Sequence, residues 1–223
     1  MTTTLDPTPS PSEWTLADLL EDLGHIPPGR IRMRPAPGTA TEEDVLKAEG
    51  HTGRICELID GVLVEKTMGY LESLLAGAVV EALRKFVRER KLGIVLTPDG
   101  TLRILPAQVR APDACFIAWD RVPGGKLAKV PIPAMAPNLA VEILSEGNTP
   151  GEMERKLRDY FAAGVRLVWY IDPRSHTART YTTPDKCEVL TEQGILSGGD
   201  VLPGFELSLA ELFAEIDWSD DEA

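Results

Sequence analysis

One short segment restricts how this chain folds more than any other. Residues 139–144 form an apolar run that carries a single acidic residue, Glu142. The run has the length of a buried strand. An unpaired carboxylate is costly to desolvate, so a buried one is normally paired, protonated or bound to a metal. The segment therefore predicts a buried strand whose central glutamate has an ionic partner or a metal.

The helix that follows this strand is predicted to supply a cation. Residues 149–152 combine a capping-box pair with proline at the first helical position, and Gly164 ends the helix. At about 100° per residue, Lys156 lies roughly 60° from Met153, at the border of the packed face. Because the connecting turn is short, Lys156 is expected to reach back over the strand to Glu142.

The remaining patterns predict an α/β fold. Asp60-Gly61 predicts a hairpin over residues 54–66, and Asp99-Gly100 predicts a second one between strands 94–97 and 101–104. A long amphipathic helix is predicted over residues 68–91. The other predicted elements are strands 114–118, 166–171, 177–183 and 187–190 and a closing helix 207–216. This order favours a mixed β-sheet flanked by helices.

The chain divides into three predicted parts. Residues 1–53 are expected to form a disordered N-terminus, over about residues 1–12, followed by a short helical extension with helices at 16–23 and 41–49 and a proline-rich linker at 27–39. Residues 54–216 form the main domain, and residues 217–223 an acidic tail. The absence of a long apolar run and of a signal-peptide pattern predicts a cytoplasmic protein without a membrane span.

Composition excludes several classes of function. The three cysteines are widely spaced and the three histidines are isolated, which argues against a disulfide scaffold and a zinc site. The net charge of −12 argues against a generic nucleic-acid binder, although local charge matters more than the total. Basic residues cluster on the long helix and in the loop before the central strand, and these are the candidates for backbone contacts: Arg84, Lys85, Arg88, Lys126 and Lys129.

Each candidate site residue has an ordinary structural interpretation when it is taken alone. Asp113 follows a proline at a strand entrance and could cap a turn, Glu142 could pair with Arg110, and Lys156 could be solvated. Together, two carboxylates and a lysine form a minimal arrangement for Mg²⁺-assisted phosphodiester hydrolysis, because hard oxygen ligands suit Mg²⁺ and a lysine stabilises negative charge.

The motifs as a set resemble the Uma-two family of restriction endonucleases, in the PD-(D/E)XK nuclease superfamily. The resemblance covers roughly residues 54–213. It is carried by five motifs: Glu57-Leu58-Ile59-Asp60-Gly61, Arg110-x-Pro112-Asp113, the segment LAVEILS at 139–145, Lys156-x3-Tyr160-x3-Gly164-Val165, and Trp169-x2-Asp172-Pro173.

The resemblance implies a restriction-endonuclease-like fold and a role for each site residue. Asp113 and Glu142 would be metal ligands, with the Ile143 carbonyl as a further ligand. The superfamily expects a lysine two residues after the glutamate, where this chain has Leu144, so Lys156 is its natural replacement.

The resemblance also gives Glu57 a supporting role. It would join the metal shell or hold Lys156, and the alternative is an exposed hairpin carboxylate. The implied cofactor is Mg²⁺, with Mn²⁺ as a substitute. The implied substrate is DNA and the implied assembly a homodimer.

Two rival hypotheses remain open. In the first, the chain is a non-catalytic binding or interaction module in which Glu142 and Lys156 form a buried ion pair without metal. In the second, it is a metal hydrolase that acts on a smaller phosphate compound.

Overall fold

The computed structural model describes residues 14–217, so residues 1–12 and most of the predicted acidic tail lie outside it. Its α-helices are α1 (Leu16–Asp22), α2 (Glu42–Thr52), α3 (Tyr70–Arg90), α4 (Pro150–Ala162) and α5 (Leu209–Ala214). Its strands are β1 (Ile31–Arg32), β2 (Cys56–Ile59), β3 (Val62–Glu65), β4 (Gly93–Leu96), β5 (Leu102–Leu105), β6 (Gln108–Arg110), β7 (Ala114–Ala118), β8 (Leu139–Ile143), β9 (Leu167–Asp172), β10 (Thr177–Thr183), β11 (Lys186–Leu190), β12 (Ile195–Ser197) and β13 (Glu206–Ser208).

The central sheet has six strands in the order β11-β10-β9-β8-β7-β4. Strands β8 and β9 are parallel and are joined by α4, whereas the other neighbours are antiparallel. Alternate residues of β8 enter two different cores: Val141 packs with α3 and α5, and Ala140 packs with α4. The predicted α/β architecture, a mixed sheet flanked by helices, is confirmed.

A second sheet has five strands in the order β1-β3-β2-β6-β5. The hairpin predicted at Asp60-Gly61 is confirmed, with Ile59 opposite Val62. The prediction of a hairpin at Asp99-Gly100 is wrong, because the two flanking strands do not pair with each other. Strand β4 pairs with β7 in the central sheet, whereas β5 pairs with β6 in the second sheet. The turn itself forms, with the Gly100 N–H on the Thr97 carbonyl at 2.9 Å. A local turn signal fixes the direction of the chain but not the strand that each flanking segment pairs with.

The sequence did not predict several short strands. Strand β1 lies in the predicted linker, β6 precedes Asp113, and β12 pairs with β13. Residues 207–208, predicted as the start of the closing helix, belong to β13 instead. A strand of two or three residues is too short to show the alternation of apolar and polar side chains that identifies a strand in a sequence. Pairing with other strands in the folded protein therefore determines these strands.

A buried arginine joins the N-terminal extension to the start of α4. The Arg30 guanidinium donates two hydrogen bonds to Glu152, at 2.7 and 2.8 Å, and one each to the carbonyls of Glu65 and Gly147, both at 2.9 Å. Gly24 packs against Gly151 in the first turn of α4. This part of the extension is therefore packed against the element that carries Lys156.

The described part of the chain holds three free cysteines. Cys56 and Cys115 are buried and unpaired, whereas Cys187 is exposed and unpaired. Burial raises the pKa of the Cys115 thiol to about 12. Among residues 14–217, no helix is both long and apolar enough to span a membrane.

A pair of glycine substitutions tests this packing. Gly24 has a positive φ, and a methyl group there would overlap the main chain of Gly151 and Glu152. We expect Gly24→Ala to destabilise the protein by about 2 kcal/mol or more, because it combines backbone strain with a steric overlap. Gly29→Ala, where nothing lies within 4 Å, is the matched control and should change stability by less than about 0.5 kcal/mol. Equal midpoints of urea unfolding for both variants would contradict the contact.

Candidate active site

The two candidate metal ligands lie at the same end of neighbouring strands. Ala114 pairs with Val141, and the Asp113 N–H donates to the Val141 carbonyl at 2.9 Å. Asp113 precedes Ala114 and Glu142 follows Val141, and the Asp113 carboxylate helps to raise the pKa of Glu142, so the two acids lie near each other. The Asp113 Oδ2 accepts the Ile143 N–H at 2.7 Å. The structure thus brings together Asp113, Glu142 and the main chain of Ile143.

Helix α4 brings Lys156 into contact with Glu142, as the helical spacing predicted. Lys156 Nζ lies 3.1 Å from Glu142 Oε2 and 3.4 Å from Glu57 Oε1. Tyr160, one turn further along α4, donates its hydroxyl to Glu142 Oε1. Lys156 is only 3% exposed, so its charge is compensated by protein groups rather than by water.

Glu57 links the second sheet to α4. Its Oε2 accepts from Arg110 at 2.8 Å and its Oε1 from the Ala111 N–H at 3.1 Å. Arg110 is 1% exposed and also pairs with Asp159 of α4. The interpretation of Glu57 as an exposed hairpin carboxylate is therefore wrong. Arg110 pairs with Glu57 and Asp159, and the structure gives Glu142 its cation from Lys156 instead.

A second lysine at the site was missed. Lys66 Nζ lies 2.8 Å from Asp113 Oδ1 and donates hydrogen bonds to the carbonyls of Ala111, at 2.6 Å, and Pro98, at 3.3 Å. In the sequence, Lys66 only marks the end of a hairpin strand, where a lysine is normally solvated. Its position depends on how the second sheet packs against the start of β7, which no local pattern encodes.

The buried charges shift one another's ionisation. Burial, together with the neighbouring carboxylates of Asp113 and Glu57, raises the pKa of Glu142 to about 7 despite the attraction of Lys156. Burial would lower the pKa of Lys156, but Glu142 and Glu57 outweigh it and raise that pKa. Burial would raise the pKa of Glu57, but Lys156 and Arg110 lower it to about 2. Of these two glutamates, Glu142 is therefore the one that titrates near neutral pH.

The donor atoms fit a hard divalent cation. Within residues 14–217, no three His, Cys, Asp or Glu side chains gather as a metal site, so protein donors would be two carboxylates and a main-chain carbonyl. Mg²⁺ commonly takes one or two carboxylates and keeps several waters, whereas structural zinc takes four nitrogen or sulfur ligands. Asp113 Oδ1 is buried and accepts no hydrogen bond from the described part of the chain, and it faces a cation, Lys66. The site therefore suits Mg²⁺ or Mn²⁺ rather than zinc.

The predicted nucleic-acid contacts lie away from these acids. Arg84, Lys85 and Arg88 are exposed in the last two turns of α3, which leads into β4. Gly93 of β4 pairs with Ala118, four residues along β7 from Ala114 and so about 13 Å from the Asp113 end. Lys126 and Lys129 are exposed in the loop that follows this far end of β7. The structure does not bring these five residues to the acidic cluster.

Comparisons with known proteins identify the fold and the family. A solved structure from Anabaena variabilis, described as a putative nuclease belonging to DUF820, has a similar fold, with a TM-score of 0.66 and 21% identity over 74% of this chain and 93% of that chain. Residues 42–210 match the Uma2 family model, described as "Putative restriction endonuclease", and the chain belongs to that family. Among curated proteins, no match was found.

The pKa of Glu142 gives a testable pH dependence. Since its pKa rises from 4.5 to about 7 on folding, the folded state holds the proton more tightly, and stability from this group falls as pH rises through that window. We expect the difference in free energy of unfolding, wild type minus Glu142→Gln, to decrease between pH 4.5 and about pH 7. Above about pH 7 this difference should stay level. Denaturant titrations across the range measure it, and parallel curves for the two proteins would contradict the raised pKa.

Proposed function

We propose that this protein is a metal-dependent endonuclease that hydrolyses phosphodiester bonds in DNA. The observation that carries the proposal is the meeting of Asp113, Glu142 and Lys156 at one end of β7 and β8, with Lys156 Nζ 3.1 Å from Glu142. Membership of the Uma2 family supports the nuclease class. Two carboxylates beside the main chain of Ile143 and a buried lysine suit a metal-bound phosphate.

The metal would be Mg²⁺, with Mn²⁺ as a substitute. Asp113, Glu142 and the carbonyl of Ile143 would hold it. When bound, such an ion polarises a phosphate and lowers the pKa of a coordinated water.

Lys156 supplies positive charge in this proposal rather than acting as a base. Its raised pKa keeps the ammonium protonated at neutral pH, so it cannot accept a proton from water. It holds one oxygen of Glu142 while Tyr160 holds the other, which fixes the direction of the carboxylate. Glu57 in turn pairs with Lys156 and is itself held by Arg110, so this part of the site is preorganised.

The exposed cations of α3 are proposed to contact the DNA backbone beyond the scissile phosphate. Since Arg84, Lys85 and Arg88 lie toward the far end of the sheet, they would bind phosphates distant from the acids. Lys126 and Lys129 would extend the same contact. A homodimer and a cytoplasmic location, both expected from the sequence, complete the proposal.

Plasmid cleavage tests the activity. With Mg²⁺ or Mn²⁺ we expect wild-type protein to nick or linearise plasmid DNA, and Glu142→Ala and Asp113→Asn to reduce the rate by about a hundredfold or more, the scale of losing a transition-state contact. Glu154→Ala is the matched control, because Glu154 is exposed on the same helix and pairs only with Arg158 among described residues. Circular dichroism confirms that each variant is folded.

Equal cleavage by wild type and Glu142→Ala would contradict the nuclease assignment. A folded wild type that binds Mn²⁺ but cleaves no nucleic acid would favour a hydrolase of smaller phosphates. A folded wild type that binds no Mn²⁺ would favour the interaction module.

The salt dependence of DNA binding tests the cations of α3. Each phosphate contact adds about 0.9 to the slope of log affinity against log salt for duplex DNA. We expect the double variant Arg84→Ala/Arg88→Ala to reduce the slope by about two. Single-turnover cleavage at saturating DNA should not change. Lys186→Ala, which removes an exposed lysine from β11, should leave the slope unchanged. A wild-type slope in the double variant would place the DNA elsewhere.

A further inference from the structure

We infer that Lys66 is a built-in counter-ion of Asp113 that makes a divalent cation and a phosphate group bind cooperatively. This inference rests on the proposed metal-dependent function, because it concerns the same carboxylate. It gives Lys66 a role distinct from that of Lys156, which neutralises the other acid.

The first observation is the ion pair itself. Lys66 Nζ lies 2.8 Å from Asp113 Oδ1, and the two side chains are 8% and 5% exposed. Apart from this ion pair, no donor in residues 14–217 hydrogen-bonds to that oxygen. A dication that takes Asp113 Oδ1 as a ligand must therefore compete with the Lys66 ammonium for it.

The second observation is that Lys66 is held independently of Asp113. It donates to the carbonyls of Ala111, at 2.6 Å, and Pro98, at 3.3 Å. Pro98 precedes β5 in the chain, and Ala111 follows β6. A lysine anchored by two carbonyls stays near Asp113 when that carboxylate gains a new cation. The ammonium then repels the cation instead of leaving the site.

The third observation separates Lys66 from Lys156. Lys156 lies within ion-pair distance of two carboxylates, Glu142 and Glu57, so it keeps one if the other binds metal. Within 4 Å of Lys66 Nζ the described structure shows a single carboxylate, that of Asp113. Lys66 is therefore the cation whose compensation is lost when Asp113 becomes a ligand.

Charge balance gives the consequence. The connected charges are four acids, Glu57, Asp113, Glu142 and Asp159, and three bases, Lys66, Arg110 and Lys156. A dication exceeds the single extra negative charge of this set, so it leaves excess positive charge in a poorly solvated site, which a phosphodiester anion beside Lys66 reduces. Cation and phosphate thus each favour the binding of the other, and linkage makes the effect reciprocal.

The experiment is a calorimetric titration of the full chain with Mn²⁺, alone and in the presence of a short phosphorothioate DNA duplex that resists cleavage. For the wild type we expect the duplex to tighten Mn²⁺ binding by about tenfold, within the usual range of coupling between sites. We expect Lys66→Met to bind Mn²⁺ alone about tenfold more tightly than the wild type and to lose most of the duplex effect. Lys66→Arg retains the charge and should resemble the wild type.

Two controls separate this role from a purely structural one. Lys186→Met removes an exposed lysine and should not alter either titration. Lys66→Gln keeps a donor for the carbonyls but no charge, and serves if Lys66→Met does not fold; it should also bind Mn²⁺ more tightly.

Three outcomes would overturn the inference. If folded Lys66→Met or Lys66→Gln binds Mn²⁺ no more tightly than the wild type, Lys66 is not a competing counter-ion, although the metal site stands. If the duplex leaves the wild-type affinity for Mn²⁺ unchanged, the cooperativity is absent. If the wild type binds no Mn²⁺ in either titration, the inference and the proposed metal dependence both fail.

Discussion

The rest of the structure depends on one constraint: each buried carboxylate at the ends of β7 and β8 must have a positively charged partner. Glu142 lies in a strand with apolar cores on both faces, where an unpaired charge would be strongly destabilising. Its partner Lys156 comes from α4, and that lysine requires a second acid, Glu57, from β2. Glu57 in turn binds Arg110, which pairs with Asp159 of α4. Each charge therefore fixes the position of another element.

This network explains why the two sheets and α4 pack as they do. Arg110 ends β6 in the second sheet, and three residues later Asp113 precedes β7 in the central sheet. The chain thus crosses from one sheet to the other within the site. Lys66, which follows β3, completes the junction by contacting Asp113 and two main-chain carbonyls. Preorganised charges at such a junction suit a binding site for a dication and a phosphate, because little rearrangement is needed when they arrive.

The N-terminal extension belongs to the same argument. Arg30 lies between Glu152, at the start of α4, and the main chain of Glu65, directly before Lys66. The extension therefore braces the two elements that supply the lysines, although it carries none of the candidate site residues. Its close contact at Gly24 and Gly151 leaves no room for a side chain.

The sequence by itself determined the elements with strong local signals. The apolar run around Glu142, the capping box with Pro150 and the Asp60-Gly61 turn each depend on neighbouring residues, so they were predicted correctly. The meeting of Lys156 with Glu142 was also predictable, because a short turn and helical spacing leave few alternatives.

Only the tertiary structure decided which strands pair and which cation each acid meets. The segments around Asp99-Gly100 were predicted to pair with each other but join different sheets. Lys66 contacts Asp113 across 47 positions of sequence, and Arg110 contacts Glu57 across 53. Such contacts follow from how whole sheets pack, and periodicity, turn signals and capping report only on residues within a few positions of one another.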